Sequence, residues 1–249
     1  MVFFLATILI QICCVVHLIR NHNNSLWLWA IILLPIAGSA AYIVVEVLPG
    51  LGQQREVRAA NAAAIRKLDP DRELRAAREA LDIADTAANR TELGDALADK
   101  GDWTEAAVHY RGALAKMPTS DRATQVKLAR ALFESRDAGA AVEILEALPE
   151  SGSMTENDRT KLLLARALQE SGEAGRALAL YAEVGPRLAG AEAQCRHAAL
   201  LIEQGRPRDA LPLLEETERR ARRLDRSTRA RDGAMYDWAA RMLADLRGQ

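Results

Sequence analysis

TAANRTELGDALADKGDWTEAAVHYRGALAKMP, from Thr86 to Pro118, is the stretch around which the rest of the chain is organised. Counting Ala87 as position one, it places Leu93 at seven, Gly94 at eight, Leu97 at eleven, Ala106 at twenty, Tyr110 at twenty-four, Ala113 at twenty-seven and Pro118 at thirty-two. This pattern predicts two antiparallel helices. Gly94 and Ala106 are small where the helices must approach closely, and the neighbouring Leu and Tyr side chains fill the seam. Gly101 and Asp102 supply the turn between them.

The register recurs. Leu128, Ala129, Leu132, Ala141 and Leu145 fill it a second time, and Leu164, Ala165, Leu168, Gly172, Ala177 and Tyr181 a third. His197, Ala198, Leu201, Gly205, Ala210 and Leu214 fill it a fourth time. The equivalent alanines Ala106, Ala141, Ala177 and Ala210 are 35, 36 and 33 residues apart. With these residue types at a period of about 34, the segment 86–217 resembles the tetratricopeptide repeat family. The resemblance implies an α-solenoid of about four helix hairpins. Position four, often Trp in that family, is Arg90, Gln125, Lys161 and Gln194, so one packing contact of the family is missing. Position twenty-seven drifts from Ala113 to Leu148, Val184 and Thr217, and Pro149 and Pro186 arrive early. Shorter or irregular second helices are therefore expected in the later repeats.

An array of this kind needs caps, since an open end exposes apolar side chains. Asp71 is a suitable N-cap for a helix from Arg72 to about Ile83, on which Leu74, Ala77, Leu81 and Ala84 share a face. At the other end Met235, Trp238, Ala239, Met242, Leu243 and Leu246 recur at helical spacing. Aromatic residues make up 4% of the 249 and no stretch alternates apolar with polar residues, so an all-α protein follows. A formal charge of −1 gives no sign of a nucleic-acid partner. Cys13, Cys14 and Cys195 are too few for a disulfide framework, and without a CxxC there is no zinc ribbon or redox dithiol.

Ahead of the repeats, Val2 to Ile19 and Leu26 to Leu48 are apolar runs of about the length that spans a bilayer core. They predict a two-helix transmembrane hairpin. Trp27, Trp29 and Tyr42 suit its interfaces, and the polar Arg20–Ser25 segment suits its loop. A secretory signal peptide is disfavoured, because the first run lacks a basic n-region and a second apolar run follows it. Arg55, Arg58, Arg66 and Lys67 follow the second span against Arg20 in the loop, which puts both termini in the cytoplasm. The expected organisation is the hairpin over 1–49, a juxtamembrane linker over 50–69, and the solenoid with its capping helices over 70–249. His17, Arg20, Trp27, Trp29, Pro35, Gly38 and Tyr42 give the hairpin a resemblance to the N-terminal membrane segment of bacterial cardiolipin synthases and related phospholipase D-type proteins. That superfamily's His-x-Lys signature is absent, because none of His17, His22, His109 or His197 has Lys two residues on.

Few residues invite chemistry. Cys195 and His197 are two apart on a helix and do not face each other, so His197 reads as a core histidine with one hydrogen bond. His109 is expected on a wet face. Glu46 in the second span reads either as a group reaching the headgroup layer or as a functional acid, and Gln11 as a donor across the hairpin. The arginine-rich stretch Arg219–Arg231 is interleaved with Asp225 and follows Glu215, Glu216 and Glu218, which favours a solvated helix over a nucleic-acid or lipid patch. No nucleophile and base pair, paired carboxylates or phosphate loop is present, so no catalytic residue, cofactor or metal is expected and an enzyme is disfavoured.

The family resemblance places function in the concave groove, at positions two, five, nine, twelve and thirteen of the first helices. These include Asp95 and Asp99 in the first repeat, Arg130, Phe133 and Glu134 in the second, Arg159, Arg166 and Gln169 in the third, and Ile202 in the fourth. The groove then runs from acidic to basic. Thr91 and Asp95 occupy the places where some family members clamp a C-terminal carboxylate with Lys and Asn, so such a ligand is disfavoured. Arg130 and Arg166 are expected side by side, either as an anionic-peptide site with Phe133 as apolar anchor or paired with Glu134 and Glu170 on their own helices.

The expected function is a membrane-anchored scaffold that recruits a protein or peptide partner to the bacterial inner membrane, touching lipid through the hairpin and binding no nucleic acid. One alternative is an accessory or regulatory factor of phospholipid (cardiolipin) metabolism without catalysis of its own; another is an intramembrane enzyme using Glu46 and His17. The charge bias around the spans predicts that alkaline phosphatase fused after Gln249 is inactive in cells. Robust activity of that fusion would reverse the orientation.

Overall fold

A computed structural model of the chain describes residues 69–248 apart from Ser120, together with a few isolated positions between 11 and 45. The chain divides into two compact units, Met1–Arg72 and Glu73–Gln249. In the first, the predicted spans and linker lie outside the described residues. Among the isolated positions, Gln11 Nε2 donates to the Ile31 carbonyl at 2.9 Å, and the side chains of Ile12, Val16, Leu34 and Val45 are exposed. Among the described residues no helix is long and apolar enough to cross a membrane.

The described chain from residue 69 onward is helical throughout. It runs α1 (Arg72–Ile83), α2 (Ala87–Asp99), α3 (Trp103–Lys116), α4 (Arg122–Glu134), α5 (Ala138–Ala147), α6 (Met154–Glu170), α7 (Ala174–Val184), α8 (Glu192–Glu203), α9 (Pro207–Arg223), α10 (Arg226–Arg231) and α11 (Gly233–Arg247). From α2 to α9 each helix packs on the next, and α11 folds back onto α9 and α8.

The seam explains that order. Ala129, Ala165 and Ala198 at position eight, and Ala106, Ala141, Ala177 and Ala210 at position twenty, have no exposed surface at all. In the first repeat position eight is Gly94, where an added Cβ would lie 2.6 Å from Tyr110 Cε1. The ring occupies the space a side chain would need. Leu97, Leu132, Leu168 and Leu201 are buried beside these contacts, each contributing about 1.5–3 kcal/mol. The buried phenols keep their polar ends satisfied. Tyr110 donates to Asp95 at 2.8 Å and Tyr181 to Gln169 at 2.9 Å, as burial of a hydroxyl requires.

All four hairpins turn in the same way. The amides of Asp102, Asp137, Glu173 and Arg206 bond to the carbonyls of Leu97, Leu132, Leu168 and Leu201 at 2.8–2.9 Å. The residue before each has positive φ: Gly101, Gly172 and Gly205, but Arg136 (φ 71°) in the second repeat. These are Schellman turns, which satisfy the last carbonyls of a helix and favour glycine because a Cβ is crowded there.

Polar clasps replace the missing Trp at position four. Arg90 pairs with Asp85 (2.5 Å), Lys161 with Glu183 (2.8 Å), and Gln194 accepts from the buried Thr217 hydroxyl (3.2 Å). The second helices α5 and α7 are shorter than α3, with 10 and 11 residues against 14. Contrary to expectation, α9 runs 17 residues through Pro212, because Ala210, Leu214, Thr217 and Ala221 are buried along its length against α8 and α11.

At the start of the array Ala77 is buried and Leu74 and Leu81 pack on the core. Ala84 is exposed instead of joining them, since α1 ends before it. Asn89 Nδ2 closes that end by donating to the carbonyls of Ala80 (2.9 Å) and Ala84 (2.7 Å). At the far end Tyr236, Ala239 and Leu243 are the buried residues of α11, with Trp238 only partly covered. The apolar interior forms two clusters, one for the first three repeats joined by Leu200 of α8 and one for the fourth with α11, and Leu178 packs against both.

Two substitutions test this packing. Ala177→Leu is expected to destabilise the solenoid by about 1–3 kcal/mol through overpacking, whereas Arg136→Gly is expected to stabilise it by roughly 0.5–1 kcal/mol by relieving the left-handed turn. Urea unfolding followed by circular dichroism measures both, and an unchanged midpoint for either contradicts the corresponding contact.

Candidate functional site

Side chains of α4, α6 and α8 form a groove of about 650 Å³ lined by Arg122, Val126, Arg130, Arg159, Leu162, Leu163 and Arg166, together with the carboxylates Glu156 and Glu192. Val126 and Leu162 are position five of consecutive repeats, which gives the groove an apolar strip. Its cations are held in different ways. Arg122 is fixed by neutral acceptors, the Pro149 carbonyl (2.9 Å), Asn157 Oδ1 (3.2 Å) and Thr160 Oγ1 (3.1 Å). Arg130 lies over the Trp103 ring, 5.8 Å from its centroid, and Arg159 is exposed. None of the three has a carboxylate within 4.0 Å among the described residues. Arg166 is different: it sits 4.6 Å over the Phe133 ring and reaches Glu134 on α4 (3.4 Å) and Glu192 on α8 (3.7 Å). Its Nε is buried without a hydrogen-bond partner.

The structure brings Arg130, Arg159 and Arg166 to one groove. It does not leave Phe133 as an open anchor, because Phe133 is buried and Arg166 covers its ring. Neither arginine takes the expected partner four residues along its own helix; Arg166 bridges three helices and Arg130 stacks on an aromatic ring. Asp95 serves the scaffold, accepting from Tyr110 and from Lys127 of the next repeat (2.7 Å), and Gln169 does the same for Tyr181. Asp95 and the exposed Asp99 line a separate acidic hollow with Glu73 and Glu92. Ile202 packs into the second apolar cluster. Arg122, Val126 and Leu162 belong to the groove but escaped selection, although position five already pointed to the last two.

The histidines and cysteine have structural settings. His109 is half-buried instead of wet, its Nδ1 lacks a partner, and burial pulls its pKa down. His197 stacks on Tyr181 with ring centroids 6.5 Å apart, in place of the single hydrogen bond expected of it. Cys195 is buried, donates to the Met235 carbonyl at 3.6 Å, and has its thiol pushed up to about 12, first by burial and then by the Asp232 carboxylate. Among the described residues no group of three or more His, Cys, Asp or Glu is placed to hold a metal ion.

Helix hairpins stacked on a repeated small-residue seam, with a groove on their first helices, define an α-solenoid. Residues 97–157 match the tetratricopeptide repeat family. The fold is also that of two solved structures. The MamA RS-1 ArsTM double mutant is 16% identical, with a TM-score of 0.53 over 64% of this chain and 88% of its own. YrrB, described as a TPR protein with an unusual peptide-binding site, is 18% identical, with a TM-score of 0.50 over 62% of this chain and 79% of its own. No curated protein matches the chain.

The two position-nine arginines are expected to behave differently when truncated. Arg166→Ala removes a cation that ties α4, α6 and α8 and covers Phe133, and is expected to cost about 1–2 kcal/mol. Arg130→Ala, at an exposed stack, is expected to cost under about 1 kcal/mol. Equal thermal shifts in the two variants would contradict the bridging role of Arg166.

Proposed function

We propose that this chain is a membrane-anchored scaffold: its hairpin sits in the bacterial inner membrane, its solenoid lies in the cytoplasm, and the groove on α4, α6 and α8 receives a segment of a partner protein. The observation that carries this reading is the set of three guanidinium groups, on Arg122, Arg130 and Arg159, that face an apolar strip without carboxylate partners among the described residues. A cation left uncompensated beside apolar surface suits a ligand that brings negative charge and apolar side chains together. The peptide-binding site named for the similar YrrB supports the same use of the fold. For the anchor, the support is the pair of apolar runs in the sequence and the exposure of Ile12, Val16, Leu34 and Val45, a surface suited to lipid.

Replacing Arg130 and Arg159 together with glutamate tests the groove without touching the bridging Arg166. Proteins that co-purify with the full chain from mild detergent are expected to be lost in this variant while its thermal melt stays within a few degrees of wild type, because exposed charges carry little folding energy. Unaltered co-purification would move the binding surface elsewhere.

A further inference from the structure

The groove does not end at Arg159. Arg159, Leu162 and Glu192 also line a second cavity of about 510 Å³, whose far wall comes from the loop at Gly190, the end of α9, α10 and the start of α11. Leu188, Leu224 and Tyr236 supply apolar surface there, and Arg220, Arg223 and Arg231 supply charge. Its carboxylates are already engaged. Asp232 accepts from the Ala191 amide at 3.1 Å and lies against Gly190, where a Cβ would come within 2.5 Å of it. Glu192 accepts from Arg196 at 2.9 Å. Arg220 is held by Glu216 at 3.0 Å, but Arg159, Arg223 and Arg231 have no carboxylate within 4.0 Å among the described residues.

The distribution of this charge is selective. In the arginine-rich stretch, Arg219, Arg222 and Arg229 are not part of the cavity lining and pair with Glu216, Glu218 and Asp237. Of the arginines that do line it, Arg220 is paired, whereas Arg223 and Arg231 have no carboxylate partner among the described residues. Two cations of the stretch are therefore left towards the groove.

We infer that the two cavities form one continuous binding site, and that the second takes the acidic flank of the segment held in the first. The occupant is a stretch of a partner protein in which Asp or Glu residues are interspersed with apolar ones and which is long enough to cross both cavities. The inference rests on the groove reading proposed above and adds to it the chemical class and extent of the ligand. Each cavity falls within the roughly 300–1,000 Å³ typical of ligand sites, and Arg–carboxylate pairs give the directional contacts that set register. An anionic phospholipid offers the same charge beside apolar chains, but the continuity with the first groove favours a linear peptide over a headgroup.

The test is calorimetric titration of the full chain in a zwitterionic detergent with two synthetic peptides of Glu and Leu interspersed with Ser. One is about six residues long and the other about twelve, the latter reaching about 40 Å when extended. The longer peptide is expected to bind at least about tenfold more tightly (about 1.4 kcal/mol), and Arg223→Glu with Arg231→Glu is expected to erase that advantage while the short peptide is unaffected. The milder double change to alanine is expected to act in the same direction, and the thermal melt reports folding of both variants. An unchanged affinity for the longer peptide in R223E/R231E overturns the extension and leaves the first groove standing. Indifference of the short peptide to R130E overturns the groove itself. Titration by a short-chain anionic phospholipid, with no heat from either peptide, replaces the proposal with a lipid site.

Discussion

The closeness of two helices at the seam is the constraint on which this structure depends. Gly94 and the buried alanines at positions eight and twenty hold each hairpin together at a separation that any larger side chain would prevent. Tyr110 and Tyr181 fill the space beside these contacts, so their hydroxyls must find partners, and this is why Asp95 and Gln169 are drawn into the scaffold. The seam also sets the first helices of successive hairpins near one another, and it is side chains of α4, α6 and α8 that line the groove. The site is a consequence of the seam.

Charge then decides what the groove accepts. Most cations of the array are matched: Arg187 with Asp158 at 2.7 Å, Arg176 with Glu173 and Glu146, Arg247 with Glu215. Against that background Arg122, Arg130, Arg159, Arg223 and Arg231 have no carboxylate within 4.0 Å among the described residues and set positive charge along one path. A field of this kind steers an acidic segment to the groove before contact and weakens with added salt. A net charge of −1 conceals it, because 34 acidic residues offset 33 basic ones wherever they lie.

What a repeat does internally was legible in the sequence. Period, small positions, turn glycines and the first and last capping helices follow from local spacing. What one repeat does to the next was not. Arg166 reaching Glu134 and Glu192, and Phe133 disappearing beneath it, depend on the stagger between hairpins, which spacing within a helix does not encode. The same holds for His109, half-buried by packing that its own helix does not reveal. The length of α9 was misjudged because the drift of position twenty-seven to Thr217 was read as a weakened seam, whereas Thr217 is buried and the helix is covered along its length by α8 and α11. Groove residues were legible as positions, and their separation into binding and scaffolding roles was not.

The division of the interior into two clusters has a mechanical consequence. Repeat arrays behave as a chain of units coupled to nearest neighbours, and a weak joint lets one end fluctuate against the other. Here Leu178 is a shared residue at that joint, and Arg159, Leu162 and Glu192, which belong to both cavities, stand on the helices either side of it. Anything lying along the whole path spans the joint and acts as a splint. Its binding would then be felt as added stiffness of the solenoid at this junction.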